Sequence, residues 1–237
     1  VLLVGVGGLG CPAGIALVRA GIGTLGLCDD DEIDRTNLHR QILFGEADVG
    51  DQKLDAAGRA LRALAAPASV RLELHRTRLL PDNAVDIVRT YDLVLEGSDN
   101  FATKFLTADA CALVGVPVVH ASAVRWVGTA LAVGPKGRPC YRCLFEDMPD
   151  GEPPNCAEAG VLGPVVGVVA AAQVDLGLAL IDGLPVEGQL VTFDGWTDLL
   201  RRRTIAPRSD CALCGHAPRI RRIEEASYFA GPRACAG

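Results

Sequence analysis

The sequence predicts an α/β fold, a Rossmann-like parallel sheet with helices on both faces that continues into an antiparallel extension. Two observations predict the parallel part. Short apolar runs alternate with helical patterns through residues 1–120, and a glycine-rich turn joins the first run to the first helix. A third predicts the extension: from Ala121 onward the strand–helix repeat stops and strand patterns with a hairpin signal take its place.

The elements follow in order. Val1 to Gly5 is an unbroken apolar run, as expected of a strand buried on both faces, and glycines separate it from a helical pattern over Leu9 to Ala20. Leu25 to Asp29 is a second strand ending in acids. Asp51 to Leu64 is rich in Ala and Leu at helical spacing, and Val70 to Leu74 alternates like a strand. Asn83 to Val88 fits a helix, Asp92 to Glu96 a strand, Phe101 to Val114 a helix and Pro117 to His120 a strand. Beyond these, Val124 to Val133 reads as one long strand. Gly134 to Asn155, rich in Pro, Gly and acids, reads as a loop, and Val161 to Ile181 as a buried helix. Leu190 to Phe193 and Leu199 to Ile205 form a hairpin around Asp194-Gly195. There is no internal repeat, so residues 1–237 are expected to be one domain with halves 1–120 and 121–237.

Composition narrows the function. The 23 Lys+Arg against 29 Asp+Glu give a net charge of −6, which argues against nucleic acid or an anionic membrane as partner. Hydrophobic residues at 49% against 22% charged exclude disorder. The apolar run Val161 to Ala172, broken by Gly163, Pro164 and Gly167, is too short to cross a bilayer. No basic segment precedes an apolar one as in a signal peptide, so a cytoplasmic location is expected. The chain starts at Val1 inside a core strand, and an N-terminal segment is expected to precede it. Nine cysteines outside a secreted context point to metal or catalysis rather than disulfides.

Gly5-Val-Gly7-Gly8-Leu-Gly10 follows a strand and opens a helix. Glycines let the backbone turn tightly beside a phosphate, and the helix N-terminus offers free N–H groups at a positive dipole end. Asp29, at the end of the second strand, is placed for ribose hydroxyls. A dinucleotide dehydrogenase would share these features. It has no use for Asn37, Arg40, Gln41 and Lys53 gathered beyond that carboxylate, whereas a triphosphate needs such cations and amide donors. Gly97-Ser-Asp99-Asn100 ends the fourth strand at the carboxyl edge, where Asp99 can hold Mg²⁺.

Cys140-Tyr-Arg-Cys143 and Cys211-Ala-Leu-Cys214 are CxxC pairs in turn-rich stretches, able to supply four thiolates to one structural Zn²⁺. The competing reading, a redox CxxC, lacks its βαβ setting. Cys11, Cys28 and Cys111 fit as core packing, Cys235 has no assigned role, and His39, His75, His120 and His216 show no ligand spacing. His120, at a strand end, is expected to be a satisfied core residue.

The glycine loop, the block Asp29 to Gln41 that includes Asp31, Lys53, Ser98-Asp99-Asn100-Phe101 and the twin CxxC pairs stand in the order of the HesA/MoeB/ThiF family. The chain resembles that family, bacterial relatives of ubiquitin-activating enzymes, over nearly its whole length. The resemblance implies that Arg40, Gln41 and Lys53 contact the phosphates of ATP, Asn37 the nucleotide, Asp29 the ribose and Asp99 the Mg²⁺. Gly5, Gly7, Gly8, Gly10, Asp31 and Asn100 complete the expected nucleotide-binding set. It implies zinc on the four cysteines, a nucleotide-binding half and a carrier-binding and zinc half, and a homodimer. In some members a cysteine in the context of Cys156 accepts the acyl group or sulfur. A helix N-terminus there favours the thiolate and Glu158 opposes it, so a half-buried bystander thiol stays open.

By this resemblance the substrate is the C-terminal glycine carboxylate of a ubiquitin-like sulfur-carrier protein ending in Gly-Gly. The product is an acyl-adenylate with pyrophosphate, followed in some members by sulfur transfer. No general base is evident, and none is required, because such a carboxylate (pKa about 3.5) is already ionised. Many members also place an arginine from an N-terminal helix in the neighbouring subunit's site, and that arginine is expected to belong to the segment preceding Val1. Three alternatives stand beside this reading: a nicotinamide-dependent oxidoreductase, an enzyme adenylating a tRNA base or a peptide, and a non-catalytic carrier-binding scaffold.

Overall fold

The computed structural model describes residues 1–64, 70–149 and 160–228. In chain order the elements are β1 (Leu2–Val4), α1 (Gly10–Arg19), β2 (Thr24–Cys28), α2 (Lys53–Leu64), β3 (Arg71–His75), α3 (Ala84–Val88), β4 (Val94–Glu96) and α4 (Phe101–Val114). They continue with β5 (Val118–Val124), β6 (Val127–Val133), α5 (Tyr141–Leu144), α6 (Gly163–Ile181), β7 (Gln189–Asp194) and β8 (Leu199–Thr204). The strands form one sheet in the order β3-β2-β1-β4-β5-β6-β7-β8. β3 to β5 in that order are parallel, and each pairing from β5 to β8 is antiparallel.

Alternation along the strands builds two cores. Leu3 of β1, Leu25 and Leu27 of β2 and Leu95 of β4 pack on the face shared by α1, α2 and α6. Leu2, Val4 and Val94 pack on the opposite face with Phe105 and Leu106 of α4. Strands apolar at every position are required when helices cover both faces. Chain direction about the sheet changes between β1 and β4: α1 carries the chain from β1 to β2, and later β4 adds on β1's other side. The carboxyl ends of these two strands therefore frame an open crevice, the place where such sheets bind ligands.

Three differences from the sequence expectations have physical reasons. The run Val124 to Val133 is not one strand: the chain reverses at Arg125-Trp126, so β5 and β6 form a hairpin whose closing pair is Val124 and Val127. Arg125 takes a left-handed φ of 53° with no Gly or Asn to signal the turn. The loop Gly134 to Asn155 contains the short helix α5, and residues 150–155 lie outside the described ones. Finally, Gly163, Pro164 and Gly167 do not interrupt the apolar run, because Pro164 lies in the first turn of α6, where its missing N–H has no intrahelical role. The result is a helix long and apolar enough to cross a membrane. In this fold it lies against α1, β5 and β6, and Val165, Val166, Val169, Ala170 and Leu176 join the core.

Candidate active site

The crevice between β1 and β4 is a cavity of about 290 Å³. Its floor is the glycine turn. Gly5 has φ +86°, and a Cβ there would lie 3.3 Å from the Gly97 carbonyl group and the Ser98 nitrogen on the neighbouring strand end. Gly10 opens α1 directly beneath, where a Cβ would collide with the Gly5 carbonyl oxygen at 2.1 Å. Gly10 thus lets the helix close on the turn and does not itself line the cavity, whereas Gly5, Gly7 and Gly8 do. Leu9 caps α1 without a side-chain hydrogen bond. In the first turn the Cys11 N–H donates to the Gly7 carbonyl at 2.9 Å, Pro12 has no N–H and the Ala13 N–H donates to the Leu9 carbonyl at 3.2 Å. The helix therefore offers the site its positive dipole end more than free donors.

Asp29 stands where β2 ends and locks the turn. Its Oδ2 accepts from the Val6 N–H at 2.7 Å and its Oδ1 from the Asp31 N–H at 2.9 Å. Burial pushes its carboxyl up, and Lys53 and the two N–H donors pull against that. Lys53, the first residue of α2, is itself buried; its Nζ lies 2.6 Å from Asp31 Oδ2 and 3.7 Å from Asp29 Oδ1. This cation therefore rests on two carboxylates and faces the cavity between them.

Arg40 and Gln41 come off a turn in which both main-chain N–H groups donate to the Asn37 carbonyl, at 3.1 and 3.0 Å. Asn37 shapes this turn through its backbone and does not line the cavity; Arg40 and Gln41 do. The Gln41 side chain is buried, and its Oε1 has no hydrogen-bond partner among the described residues. Asp99 sits exposed on the turn after β4, without an ion pair or hydrogen bond among the described residues. Beside it, Asn100 Oδ1 accepts from the Thr103 N–H at 2.8 Å and caps α4. Both line the cavity. The residues fit a nucleotide on three counts: a turn stripped of side chains, the Gln41 amide beside it with its Nε2 donor nearest Gly7, and two basic groups sharing the cavity with a carboxylate that has no partner among the described residues.

Other cavity residues were not singled out by the sequence. Arg78 and Leu79 enter from the segment after β3, with Arg78 Nε 2.9 Å from Asp30 Oδ2. Ser122, Ala123 and Val124 enter from the end of β5; the sequence placed Val124 in a longer strand with β6 and gave Ser122 and Ala123 no strand. Lys104 also lines the cavity; a lone cation among apolar residues of α4 was its one available signal.

A second cluster lies in the other half. Cys140 precedes α5 and Cys143 lies within it, while Cys211 and Cys214 approach from the C-terminal segment. The four Sγ atoms lie within 4.8 Å of one another, with pairs at 3.3, 3.5 and 3.9 Å. Four sulfurs at about 2.3 Å from a tetrahedral Zn²⁺ are about 3.8 Å apart, so the cluster is compatible with zinc. Burial and the neighbouring sulfurs push the Cys140 thiol up, and Cys214 is raised to about 12 for similar reasons. A shared cation would relieve that crowding. Cys11, Cys28 and Cys111 are buried as expected; Cys156 and Cys235 lie outside the described residues.

The sequence profile of the family described as "ThiF family" matches residues 1–213. The chain belongs to the ThiF family.

This ThiF-family chain is 42% identical over 238 residues to "Adenylyltransferase and sulfurtransferase MOCS3" of Mus musculus, covering 99% of this chain and 51% of that protein. It is 39% identical to the protein of the same name from Anopheles gambiae, covering 99% of this chain and 54% of that one. The chain thus spans about half the length of the curated relatives it matches. Among solved structures, E. coli MccB with MccA-N7isoASN superposes with a TM-score of 0.79 at 21% identity, covering 91% of this chain and 66% of that one. E. coli MccB with ATP gives 0.74 at 20% identity, covering 90% and 66%. These likenesses establish the Rossmann-type fold with its antiparallel extension. Family membership also displaces the nicotinamide-dependent alternative.

Proposed function

We propose that the chain adenylates the C-terminal glycine carboxylate of a ubiquitin-like sulfur-carrier protein, of the molybdopterin or thiamine type, using ATP and releasing pyrophosphate. The observation that carries this reading is the convergence of Asp29, Arg40, Gln41, Lys53 and Asp99 on one cavity in a close relative of proteins named adenylyltransferase and sulfurtransferase.

In this reading the carrier carboxylate oxygen forms a bond to the α-phosphorus, the bond from that phosphorus to the bridging oxygen breaks, and pyrophosphate leaves with the electron pair. No proton moves, because the attacking carboxylate is already ionised. The barrier is repulsion between anions, so the protein's work is alignment and charge neutralisation. Gly7 and Gly8 admit the phosphates against the N-terminus of α1. Arg40 and Lys53 neutralise phosphate oxygens, Gln41 binds through its amide, and Asp29 takes the ribose hydroxyls with the acceptor capacity its two N–H bonds leave. Asp99 would hold Mg²⁺, which when bound draws charge from the phosphate oxygens.

The same reading gives the four cysteines one Zn²⁺ as a structural centre and Cys156 a role in sulfur transfer after adenylation. It also makes the protein a homodimer, with the exposed pair Trp126 and Trp196, packed edge to face at 5.2 Å, as apolar surface a second copy can cover. A cytoplasmic location fits the unpaired thiols among the described residues.

ATP–pyrophosphate exchange, measured on the full-length protein with Mg²⁺ and sulfur carriers ending in Gly-Gly, tests the reaction. Carrier-dependent exchange is expected; none with any carrier overturns the reading. Metal analysis should find one zinc per chain, lost in Cys211→Ser.

A further inference from the structure

Beneath the turn that carries Asp99 lies a buried ionic group that the adenylation chemistry does not use. Glu96, the last residue of β4, has no exposed surface. Its Oε1 accepts from the Ser98 N–H at 2.7 Å and from the Ser98 hydroxyl. Its Oε2 accepts from Lys104 Nζ at 2.9 Å and from His120 Nδ1 at 3.2 Å. Lys104 Nζ also donates to the Ala121 carbonyl at 2.6 Å. The Glu96 carbonyl is itself fixed by Gln173 Nε2 of α6, at 2.9 Å.

Burial alone would raise the Glu96 carboxyl, but Lys104 and the His120 hydrogen bond outweigh it and hold it at about 2. The carboxylate is therefore ionised and can only accept. That makes Nδ1 the protonated nitrogen of His120. Burial favours the neutral imidazole, so its Nε2 is a bare acceptor, buried without a partner among the described residues, and its ring centroid lies 4.5 Å from that of Tyr141. Burying a charged pair rarely adds stability over an apolar pair of the same shape, so stability alone does not explain this one. What the group does hold is the backbone one residue before Asp99.

We propose that Glu96, Lys104 and His120 are positioning residues for Asp99: the Glu96 carboxylate, fixed from below by Lys104 and His120, clamps Ser98 and so sets where the Asp99 carboxylate stands in the cavity. The inference rests on the adenylation reading for Asp99's purpose, while the clamp itself is a property of the fold. Glu96 has four donors to serve, two on each oxygen, and only a carboxylate serves them all. A glutamine at this position turns either its NH₂ group toward Ser98 or its NH₂ group toward Lys104 and His120. In both orientations donor faces donor.

The test compares wild type, Glu96→Gln and the double variant Glu96→Gln/Lys104→Met in the full-length protein. Removing the lysine together with the carboxylate charge lets the glutamine oxygen accept from Ser98 while its NH₂ group faces the vacated Ala121 carbonyl and a His120 that has changed tautomer. Amide hydrogen exchange at Ser98 to Asn100 reads the clamp in the protein alone. ATP–pyrophosphate exchange with a carrier ending in Gly-Gly reads its consequence. In Glu96→Gln, exchange of these amides should accelerate about tenfold or more, and kcat should fall about tenfold or more while KM for ATP moves less than about threefold. The double variant should recover amide protection and most of kcat.

Unchanged protection at Ser98 in Glu96→Gln, or a fall in kcat no larger than the unfolded fraction accounts for, overturns the proposal. If Glu96→Gln does not fold, the double variant decides: normal Ser98 protection supports the clamp, and rapid exchange in a folded double variant overturns it. Wild type without pyrophosphate exchange would defeat the adenylation reading instead, and the amide measurement would still decide the clamp.

Discussion

The Lys53 ammonium is held by the Asp31 carboxylate at 2.6 Å, inside a cavity that otherwise suits a polyphosphate. Lys53 is buried while Asp31 is more than half exposed, so the pair is unequal. An ion pair with one wet partner contributes about 1 kcal/mol or less, and a phosphate can displace it readily. Asp31→Asn should therefore change KM for ATP by less than about threefold. Lys53→Met removes a charge from the transition state and should lower kcat/KM about a hundredfold. Steady-state pyrophosphate exchange distinguishes the two, and a Lys53→Met protein within threefold of wild type would remove Lys53 from the chemistry.

The glycine turn separates positions needed for folding from positions needed for a ligand. At Gly10 an added methyl meets a backbone oxygen at 2.1 Å, which no side-chain movement relieves. Gly10→Ala should cost about 3 kcal/mol or more in urea unfolding. At Gly7 the nearest atom is the Gln41 Nε2 at 3.8 Å, so Gly7→Ala should stay within about 1 kcal/mol of wild type. The methyl nevertheless enters the space a phosphate would take, and calorimetric titration with ATP should show affinity about tenfold weaker. Equal destabilisation at both positions would contradict this division.

Why Gly10 could be assigned to a nucleotide from sequence, and yet proves to serve the fold, shows the limit of motif reading. The spacing of Gly5 to Gly10 records that the backbone must be bare, but not whether a ligand or another backbone needs the room. The parallel half was legible because strands covered on both faces must be apolar throughout, as Leu2 to Val4 and Val94 to Glu96 nearly are. The Arg125-Trp126 reversal was not, since neither residue favours the left-handed conformation the turn imposes. Asp29, Arg40, Gln41, Lys53 and Asp99 were legible as polar groups clustered at strand ends. His120 was legible as a core residue, and it is buried with Nδ1 on Glu96, though its Nε2 is without a partner among the described residues. Glu96 was hidden, because a single acid at the end of an apolar strand looks the same whether it is exposed or clamped beneath a loop. Only the three-dimensional meeting of β4, α4 and β5 reveals their pairing.

That pairing makes stability depend on acid. Glu96 has a folded pKa of about 2 against an ordinary 4.5, so it binds its proton more weakly in the folded state. A depressed carboxyl contributes stability that is full above the unfolded value and is lost as pH falls through the folded one. The difference corresponds to roughly 3 kcal/mol, lost between about pH 5 and about pH 2. Glu96→Gln has no such proton to take up. In urea unfolding series over that range, wild type should lose its advantage over Glu96→Gln by about that amount. A gap that stays constant with pH would mean that Glu96 is not the ionised acceptor described here.

Asp99 and Cys156 should separate the two halves of the proposed reaction. The Asp99 side chain has no partner among the described residues, so Asp99→Ala should leave stability within about 0.5 kcal/mol of wild type. Removing the carboxylate that would hold Mg²⁺ nevertheless should reduce carrier-dependent pyrophosphate exchange at least about a hundredfold. Cys156 lies outside the described residues, and its proposed role comes after the adenylate forms. Cys156→Ser should therefore retain exchange within about threefold and lose transfer of sulfur to the carrier, read by the mass of the carrier's C-terminus. Loss of exchange in Cys156→Ser would place that cysteine in the adenylation step, and an Asp99→Ala protein that exchanges normally would take the metal site away from Asp99. Because Asp99→Ala is expected to stay folded, its loss of exchange cannot be traced to unfolding, which is what makes this pair of variants decisive.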